Sequence, residues 1–351
     1  MRVTPHIAAI GTAVPAHDIH SAFVDWAAQR LPEREARLFA RMSARAGIAH
    51  RWSVLPAEHG SPVGATGFYA AEPHPGTGAR MALYAQAAPA LALAAIADVR
   101  AQVEVDGITH LVVASCTGFV APGVDQILAR ALDLPGSVER VLIGFMGCYA
   151  AVAALRTARH IVRSEPAARV LVVTVELSTL HLQAERTLEP LLAMLQFGDG
   201  AAAALVTAAP QGLAIGQPFS ATLPEAAALI RWDITDRGFA MHLSGEVPGR
   251  ISAALRDSAL VATLTGGRAV DRWAIHAGGR SILDAVEHAL ALPPDALADS
   301  RAVLAANGNM SSATLMFVLA RVLSGAAVEH GIALAFGPGL AAEGLAFASA
   351  R

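Results

Sequence analysis

"GFMGCYAAVAALRTA", residues 144–158, is where a strand stops and a helix begins. A β-branched run over 138–144 leads into it, small residues make the turn, and the apolar positions after Tyr149 recur at helical spacing. A strand that passes through a tight turn straight into a helix is the unit of a parallel sheet covered on both faces. The device occurs twice. "ANGNMSSATLMFVLARV", residues 306–322, again sets a small-residue turn at the head of an apolar helix.

Working outward, the pattern predicts a strand over 3–11, a polar helix over 21–46 and a Pro- and Gly-rich surface loop over 53–80. A helix over 81–99, a buried strand over 109–115 and a helix over 124–132 precede the opening segment, which itself gives strand 138–144, helix 149–163 and strand 169–177. A polar helical stretch over 184–195 then runs into "FGDG" at 197–200 and a strand over 201–207. Around Pro210 the chain begins again. Irregular strands reach 247, followed by helix 249–264, strand 272–277, helix 279–290, the turn 307–312 with its helix to 323, and two strands around "FGPG" at 336–339. The expectation is an α/β protein built by internal pseudo-duplication.

The 351 residues are 54% hydrophobic and 16% charged, so most of the chain must be packed. A net charge of -3 with scattered cations offers no footprint for nucleic acid or an anionic membrane, which leaves small molecules and other subunits as partners. The most apolar windows, 87–99 and 191–209, are too short or too interrupted to cross a bilayer, and no signal peptide is apparent. Two cysteines in apolar settings, Cys116 and Cys148, suit a reducing compartment, so the expected location is cytoplasmic.

Cys148 by itself reads as a small buried hydrophobe more often than as a nucleophile. Its place at a helix start adds unpaired N–H groups and a partial positive charge, both of which favour a thiolate. A nucleophilic thiol also needs a base. Among 13 histidines, His276 in "WAIHAGGRS" ends a buried strand ahead of a Gly-Gly turn, where α/β sheets carry functional side chains; a hydrogen-bonded core histidine is the other reading. Asn309 sits in an ordinary Asn-Gly turn, yet a neutral donor at a helix start also suits an oxyanion. HExxH, GxxxxGK[ST], Cys-x-x-Cys, GxGxxG and GxSxG are all absent from the sequence, so zinc hydrolysis, phosphate-loop and dinucleotide chemistry have no support.

Seven segments together resemble the type III polyketide synthases, the chalcone and stilbene synthase family of the thiolase superfamily, from end to end. They are "AAIGTAVP" (8–15), "CTGFVAPGVD" (116–125), "GFMGCYAAVAALR" (144–156), "QFGDGAAAALV" (196–206), "WAIHAGGRSILD" (273–284), "GNMSSATLMFVL" (308–319) and "FGPGLAAEG" (336–344). The resemblance implies a thiolase fold of five layers, α-β-α-β-α, with one half over 1–210 carrying the cysteine and the other over 211–351 carrying the histidine and asparagine. It implies a catalytic triad of Cys148, His276 and Asn309, in which a Cys148 thiolate paired with imidazolium His276 takes an acyl-CoA starter as a thioester. Malonyl-CoA would then lose CO2, its enolate held by His276 and Asn309, and attack that thioester; repetition and ring closure would give a pyrone or a resorcinol-like phenol.

The same resemblance implies a homodimer, CoA thioesters as substrates, no metal and no bound prosthetic group. It places Phe197, Met241, Cys116, Thr117, Gly198 and Pro338 at the substrate pocket, with Phe197 as a gate between CoA tunnel and chamber. Met241 stands where the family has a second Phe. Arg41 and Arg45, four apart in "LFARMSAR" (38–45), fall on the family's CoA-phosphate helix, with Leu38 at one of its basic positions. Ala121 replaces a Met that crosses the plant dimer interface, Ala335 replaces a Gly before "FGPG", and 177–197 is longer than in plant members and similar to bacterial ones. Two alternatives share the fold. A ketoacyl-ACP synthase III-like enzyme would follow its histidine with Gln-Ala-Asn, where this chain has Ala-Gly-Gly. A non-catalytic subunit that binds acyl-CoA would be expected to lose one of the three reactive residues.

Overall fold

The structure, a computed structural model, describes residues 3–55, 63 and 66–350. In chain order its strands are β1 (His6–Ala13), β2 (His17–Asp18), β3 (Trp52–Ser53), β4 (His110–Ser115), β5 (Glu139–Gly144), β6 (Val170–Leu177), β7 (Asp199–Thr207), β8 (Leu213–Thr222), β9 (Ile230–Thr235), β10 (Gly238–Leu243), β11 (Arg272–Ile275), β12 (Gly331–Gly337) and β13 (Ala341–Ser349). The helices are α1 (His20–Ala28), α2 (Glu33–Ala44), α3 (Thr77–Gln102), α4 (Val124–Ala131), α5 (Ala150–Ser164), α6 (Leu188–Met194), α7 (Val247–Leu255), α8 (Ser258–Thr265), α9 (Arg280–Ala289), α10 (Ala298–Asn307) and α11 (Ser312–Leu323).

Nine strands run in the order β11-β12-β13-β8-β1-β7-β6-β4-β5. Read outward from the middle, β1-β7-β6-β4 and β8-β13-β12-β11 repeat one sequence of pairings: antiparallel, antiparallel, parallel. Only His6 and Ile7 of β1 pair with β8, so the two halves meet at a short seam and their sheets stack. The strands alternate between two cores. Leu111, Val113, Leu171 and Val173 face α3, whereas Val112, Val170, Val172 and Ala204 face α5 and α11. With α7 to α9 outside the second half, the result is five layers, α-β-α-β-α, in which α5 and α11 form the middle one.

Small residues make that stacking possible. The alanines of β7 are fully buried on both faces. A Cβ on Gly11 would lie 2.3 Å from Ala95 O and 2.5 Å from Val99 N, so only glycine lets α3 lie on β1.

Some expected elements split. The helix expected over 21–46 is α1 and α2, because the residue before Pro32 is pushed out of helical geometry. The helix expected over 249–264 breaks at Asp257, whose carboxylate accepts from Ala259 N and Leu260 N and starts α8. Helix α10 was not expected, since it has no marked apolar stripe. Part of the loop expected over 53–80 lies outside the described residues, and the rest ends where α3 begins at Thr77. Helix α3 corrects the reading of 87–99 as too short for a membrane: at 26 residues it is long and apolar enough to span one, yet its buried side chains pack on β1, β6 and β7.

Candidate active site

Cys148 lies in a 3-10 turn, Gly147–Tyr149, between β5 and α5. Gly147 has φ +76°, and a Cβ there would meet Pro338 Cδ at 2.5 Å. Opposite, a Cβ on Gly337 would come within 2.6 Å of Tyr149 Cδ1 and 3.4 Å of Cys148 N. Glycine on both sides therefore lets the end of β12 close over the turn and bury Cys148.

His276 follows β11; its N–H donates to Leu334 O (2.8 Å) and its carbonyl accepts from Gly278 N (2.9 Å). The backbone is tied down while both ring nitrogens are buried without a protein partner. Asn309 precedes α11, and its N–H donates to Gln196 O while its carbonyl accepts from Gly198 N. The side chain is also oriented: Oδ1 accepts from Ser311 N (2.9 Å), and Nδ2 donates to Gly278 O (3.2 Å), two residues from His276. An amide nitrogen has two hydrogens, so one remains for a ligand.

Cys148, His276 and Asn309 line a single chamber of about 40 Å³ with Phe197, Met241 and Ile282. Burial pushes the Cys148 thiol up to about 11, against the opposing pull of hydrogen bonds from Ser311 and Asn309. Burial alone holds His276 down to about 3. No hydrogen bond joins the ring nitrogens of His276 to another group of the described protein, and burial favours the neutral form of each of the two side chains.

Phe197 and Met241 also line a second, apolar cavity of about 130 Å³, together with Trp232 and Phe239. Three buried donors without protein partners, Arg51 Nη2, Ser178 Oγ and Trp232 Nε1, belong to residues of its wall. His181 braces it: Nε2 donates to Thr117 O (2.6 Å), Nδ1 accepts from Phe239 N (3.0 Å), and the ring stacks on Phe239 at 4.1 Å.

Other expected pocket residues sit behind the wall. Thr117 turns its hydroxyl to Glu176 (2.8 Å), Cys116 contacts Glu176 and Ser311, Gly198 serves the backbone bond to Asn309, and Pro338 packs on Gly147. Among the described residues none of these four lines the chamber. Arg41 and Arg45 are exposed at the end of α2. Arg280, which the sequence reading did not single out, reaches Arg45: its Nη1 donates to Arg45 O (3.1 Å), and it lies on α9 between the chamber residues Gly278 and Ile282. A cation straight after Gly-Gly at a helix start was its signal. Glu176, a lone carboxylate in the run "VLVVTVEL", and Ser311 were not singled out in the sequence; both contact Cys116. Among the described residues one cluster of metal-ligand composition, His110, Glu139 and Glu165, lies at the opposite end of β4 from Cys116.

The profile of the chalcone and stilbene synthases matches in two parts, the N-terminal domain over residues 3–210 and the C-terminal domain over 216–350. Alpha-pyrone synthesis polyketide synthase-like Pks18 of Mycobacterium tuberculosis is 35% identical over 251 residues, covering 68% of this chain and 64% of that protein. Less than two thirds of that relative is thus matched. Type III polyketide synthase C of Arabidopsis thaliana is 33% identical over 259 residues, 68% of this chain and 67% of its own length. Among solved structures, PKS-I from the brown alga Ectocarpus siliculosus superposes with a TM-score of 0.86 at 28% identity, covering 99% of both chains. The C-terminal type III polyketide synthase domain of Steely1 from Dictyostelium gives 0.90 at 26% identity, over 99% of this chain and 100% of that one.

Proposed function

The chain belongs to the chalcone and stilbene synthase family, and from that membership we propose that it is an iterative type III polyketide synthase whose nucleophile is Cys148. One observation carries the reading: three residues from separate loops, in both halves of the molecule, converge on one apolar chamber. Acyl-CoA starters load on Cys148 as thioesters, with the helix start at α5, Ser311 and Asn309 stabilising the thiolate. Malonyl-CoA then loses CO2. The enolate oxygen accepts from an N–H of His276 and from the free hydrogen of Asn309 Nδ2, a pair of donors fixed before the charge appears. The carbanion attacks the Cys148 thioester and extends it by two carbons. No step calls for a metal or a prosthetic group.

The second cavity supports repeated extension, since its unpartnered donors suit the carbonyl oxygens of a lengthening β-keto chain and its apolar walls suit the rest. Ring closure there yields a pyrone or a phenolic ring. Arg41, Arg45 and Arg280 take the CoA phosphates. A second copy of the chain covers β5, the open edge of the sheet, where Val141 and Leu142 are exposed. Such an enzyme works in the cytoplasm, where its CoA substrates are made and its free thiols persist.

Intact-protein mass spectrometry with short, long and aromatic acyl-CoA esters, followed by product analysis with malonyl-CoA, tests the proposal. The expected result is a covalent acyl adduct, lost in Cys148→Ala, and pyrone or resorcinol products. No adduct with any ester overturns it.

A further inference from the structure

We propose that Arg51 selects a starter whose end remote from the thioester is a carboxylate, taking that carboxylate on its unpaired Nη2 in the apolar cavity behind Phe197 and Met241. The inference rests on the reading of Cys148 as the residue that accepts the starter, and it names the class of that starter: the CoA monothioester of a dicarboxylic acid. Arg51, directly ahead of β3, is only 1% exposed. Its Nε donates to His20 Nδ1 (3.1 Å), and its Nη1 donates to Met194 O (3.1 Å) and Phe197 O (2.8 Å), while Nη2 has no partner. All of these acceptors are neutral, since burial and the guanidinium itself hold the His20 imidazole down to about 4. Burial brings Arg51 down to about 9, which leaves it a cation at neutral pH. The two carboxylates that act on it through space, Asp18 and Asp199, are held by other groups. Asp18 Oδ2 pairs with His50 Nδ1 (2.7 Å), and Asp199 accepts from Thr179 N (2.8 Å), Thr179 Oγ1 (2.7 Å) and Val54 N (3.0 Å). Asp199 is also raised to about 7 by its burial, which weakens it as a counter-charge. Among the described residues a buried cation thus has no carboxylate against it, the costly state for a charge inside a protein.

The guanidinium belongs to the cavity wall. Its carbon lies 4.5 Å from the centre of the Phe23 ring, and Phe23, Met194, Phe197 and Arg51 all line the cavity of about 130 Å³. A second cation stands behind the same wall. Arg80 is wholly buried, lies over the Tyr69 ring at 5.2 Å and donates from Nη1 to Leu180 O (2.9 Å) and Leu182 O (2.8 Å), and Tyr69 and Leu182 line the cavity. Its Nη2 also has no partner. Against these two charges the described wall carries one carboxylate, Glu185, which is half-buried and paired with neither arginine. The field inside the cavity is therefore positive, and an anion is the ligand it favours.

Charge separates Arg51 from the other unpaired donors of this wall. Ser178 Oγ and Trp232 Nε1 are neutral and suit carbonyl oxygens, whereas Nη2, with two free hydrogens, offers a carboxylate a charge-assisted bond. The cation lost its water when the chain folded, so a bound carboxylate relieves an unpaired charge and a neutral chain end does not. Position agrees with this role. Arg51 Nη1 bonds the carbonyl of Phe197, and Phe197 lines both the chamber of Cys148 and the cavity, so a chain that passes the gate meets the cation directly behind it. Loading balances without the remote carboxylate: the Cys148 sulfur forms the new thioester bond, the bond to the CoA sulfur breaks, the Cys148 proton leaves on the CoA thiol, and the carboxylate keeps its charge throughout.

The test uses the full chain without malonyl-CoA and follows, by intact-protein mass, the rate at which Cys148 is acylated by succinyl-, adipyl- and suberyl-CoA, each set against the neutral acyl-CoA of the same chain length. At the length that reaches Arg51, the carboxylate is expected to load about thirtyfold faster or more than its neutral counterpart. Arg51→Gln, which keeps a donor for the carbonyls of Met194 and Phe197 but removes the charge, should bring the two rates to within about threefold of each other. Loss of support for the gate would slow both esters together, so the ratio of their rates separates selection from scaffolding. Circular dichroism confirms that the variant is folded. Should it misfold, the paired esters on the wild type decide the matter alone. Neutral esters that load as fast as carboxylates at every length overturn the inference and leave the proposed activity standing. A preference kept by folded Arg51→Gln also overturns it. Should no ester of either kind load, the proposed activity falls and adipate alone decides the anion site: a melting temperature that adipate raises in the wild type and not in Arg51→Gln supports it, and no rise overturns it.

Discussion

Replacing Met241 by alanine tests whether the chamber at Cys148 and the cavity behind it are one acyl-binding space. Met241 lines both, and the chamber is about 40 Å³ against about 130 Å³ for its neighbour. Losing three heavy atoms from this wall opens a passage between them, so an acyl chain attached to Cys148 can extend into the larger cavity. Each methylene it buries there contributes about 0.8 kcal/mol, close to fourfold in kcat/KM. Two additional methylenes therefore favour a longer starter by about fifteenfold in Met241→Ala relative to the wild type. The stability cost is at the low end of the range for such truncations, about 2 kcal/mol, because Met241 is only half-buried. The assay is kcat/KM for a series of linear acyl-CoA starters, read from product mass, with a thermal melt to show that the variant is folded. A folded variant whose chain-length profile matches the wild type refutes continuity of the two spaces.

Further outcomes follow from other parts of the structure. His181 is held down to about 4 by burial, so it stays neutral while the unfolded chain takes up a proton below the ordinary histidine value of 6.5. Its contribution is thus lost as pH falls from about 6.5 to about 4, on the order of 3 kcal/mol, and the stability advantage of wild type over His181→Gln should shrink across that window. Comparison with the variant is needed because Asp199, raised to about 7 by burial, acts in the opposite direction. An advantage independent of pH, measured by denaturant titration, would remove His181 as a buried neutral brace. Gly11→Ala should cost about 3 kcal/mol or more, since all three close contacts of the new Cβ are backbone atoms of α3; a melting temperature within a degree of wild type contradicts the packing. Asn309→Asp places negative charge beside the enolate and should slow condensation by a factor of about 100 or more, and an unimpaired kcat removes Asn309 from the oxyanion site.

The pieces of the site that lie on chain punctuation were legible in the sequence. Cys148, His276 and Asn309 each lie beside a small-residue turn that leads into a helix, a pattern that local sequence records directly. Trp232 and Arg280 were not legible in this way. Their placement comes from what faces them across the fold: a cavity wall or the end of α2.

By itself the sequence determined the alternation of strands and helices, the repeated turn and helix device and the family, because periodicity and turn chemistry are properties of neighbouring residues. Only the tertiary structure decided the burial and the shape of the site. How strongly charge on Cys148 and His276 is disfavoured by burial is set by the closure of Gly337 and Pro338 over the Cys148 turn and by the stacking of the two halves around α5 and α11. The division of the acyl space at Phe197 and Met241 likewise depends on side chains brought together from the turn before β7 and from β10, whose proximity no local pattern encodes.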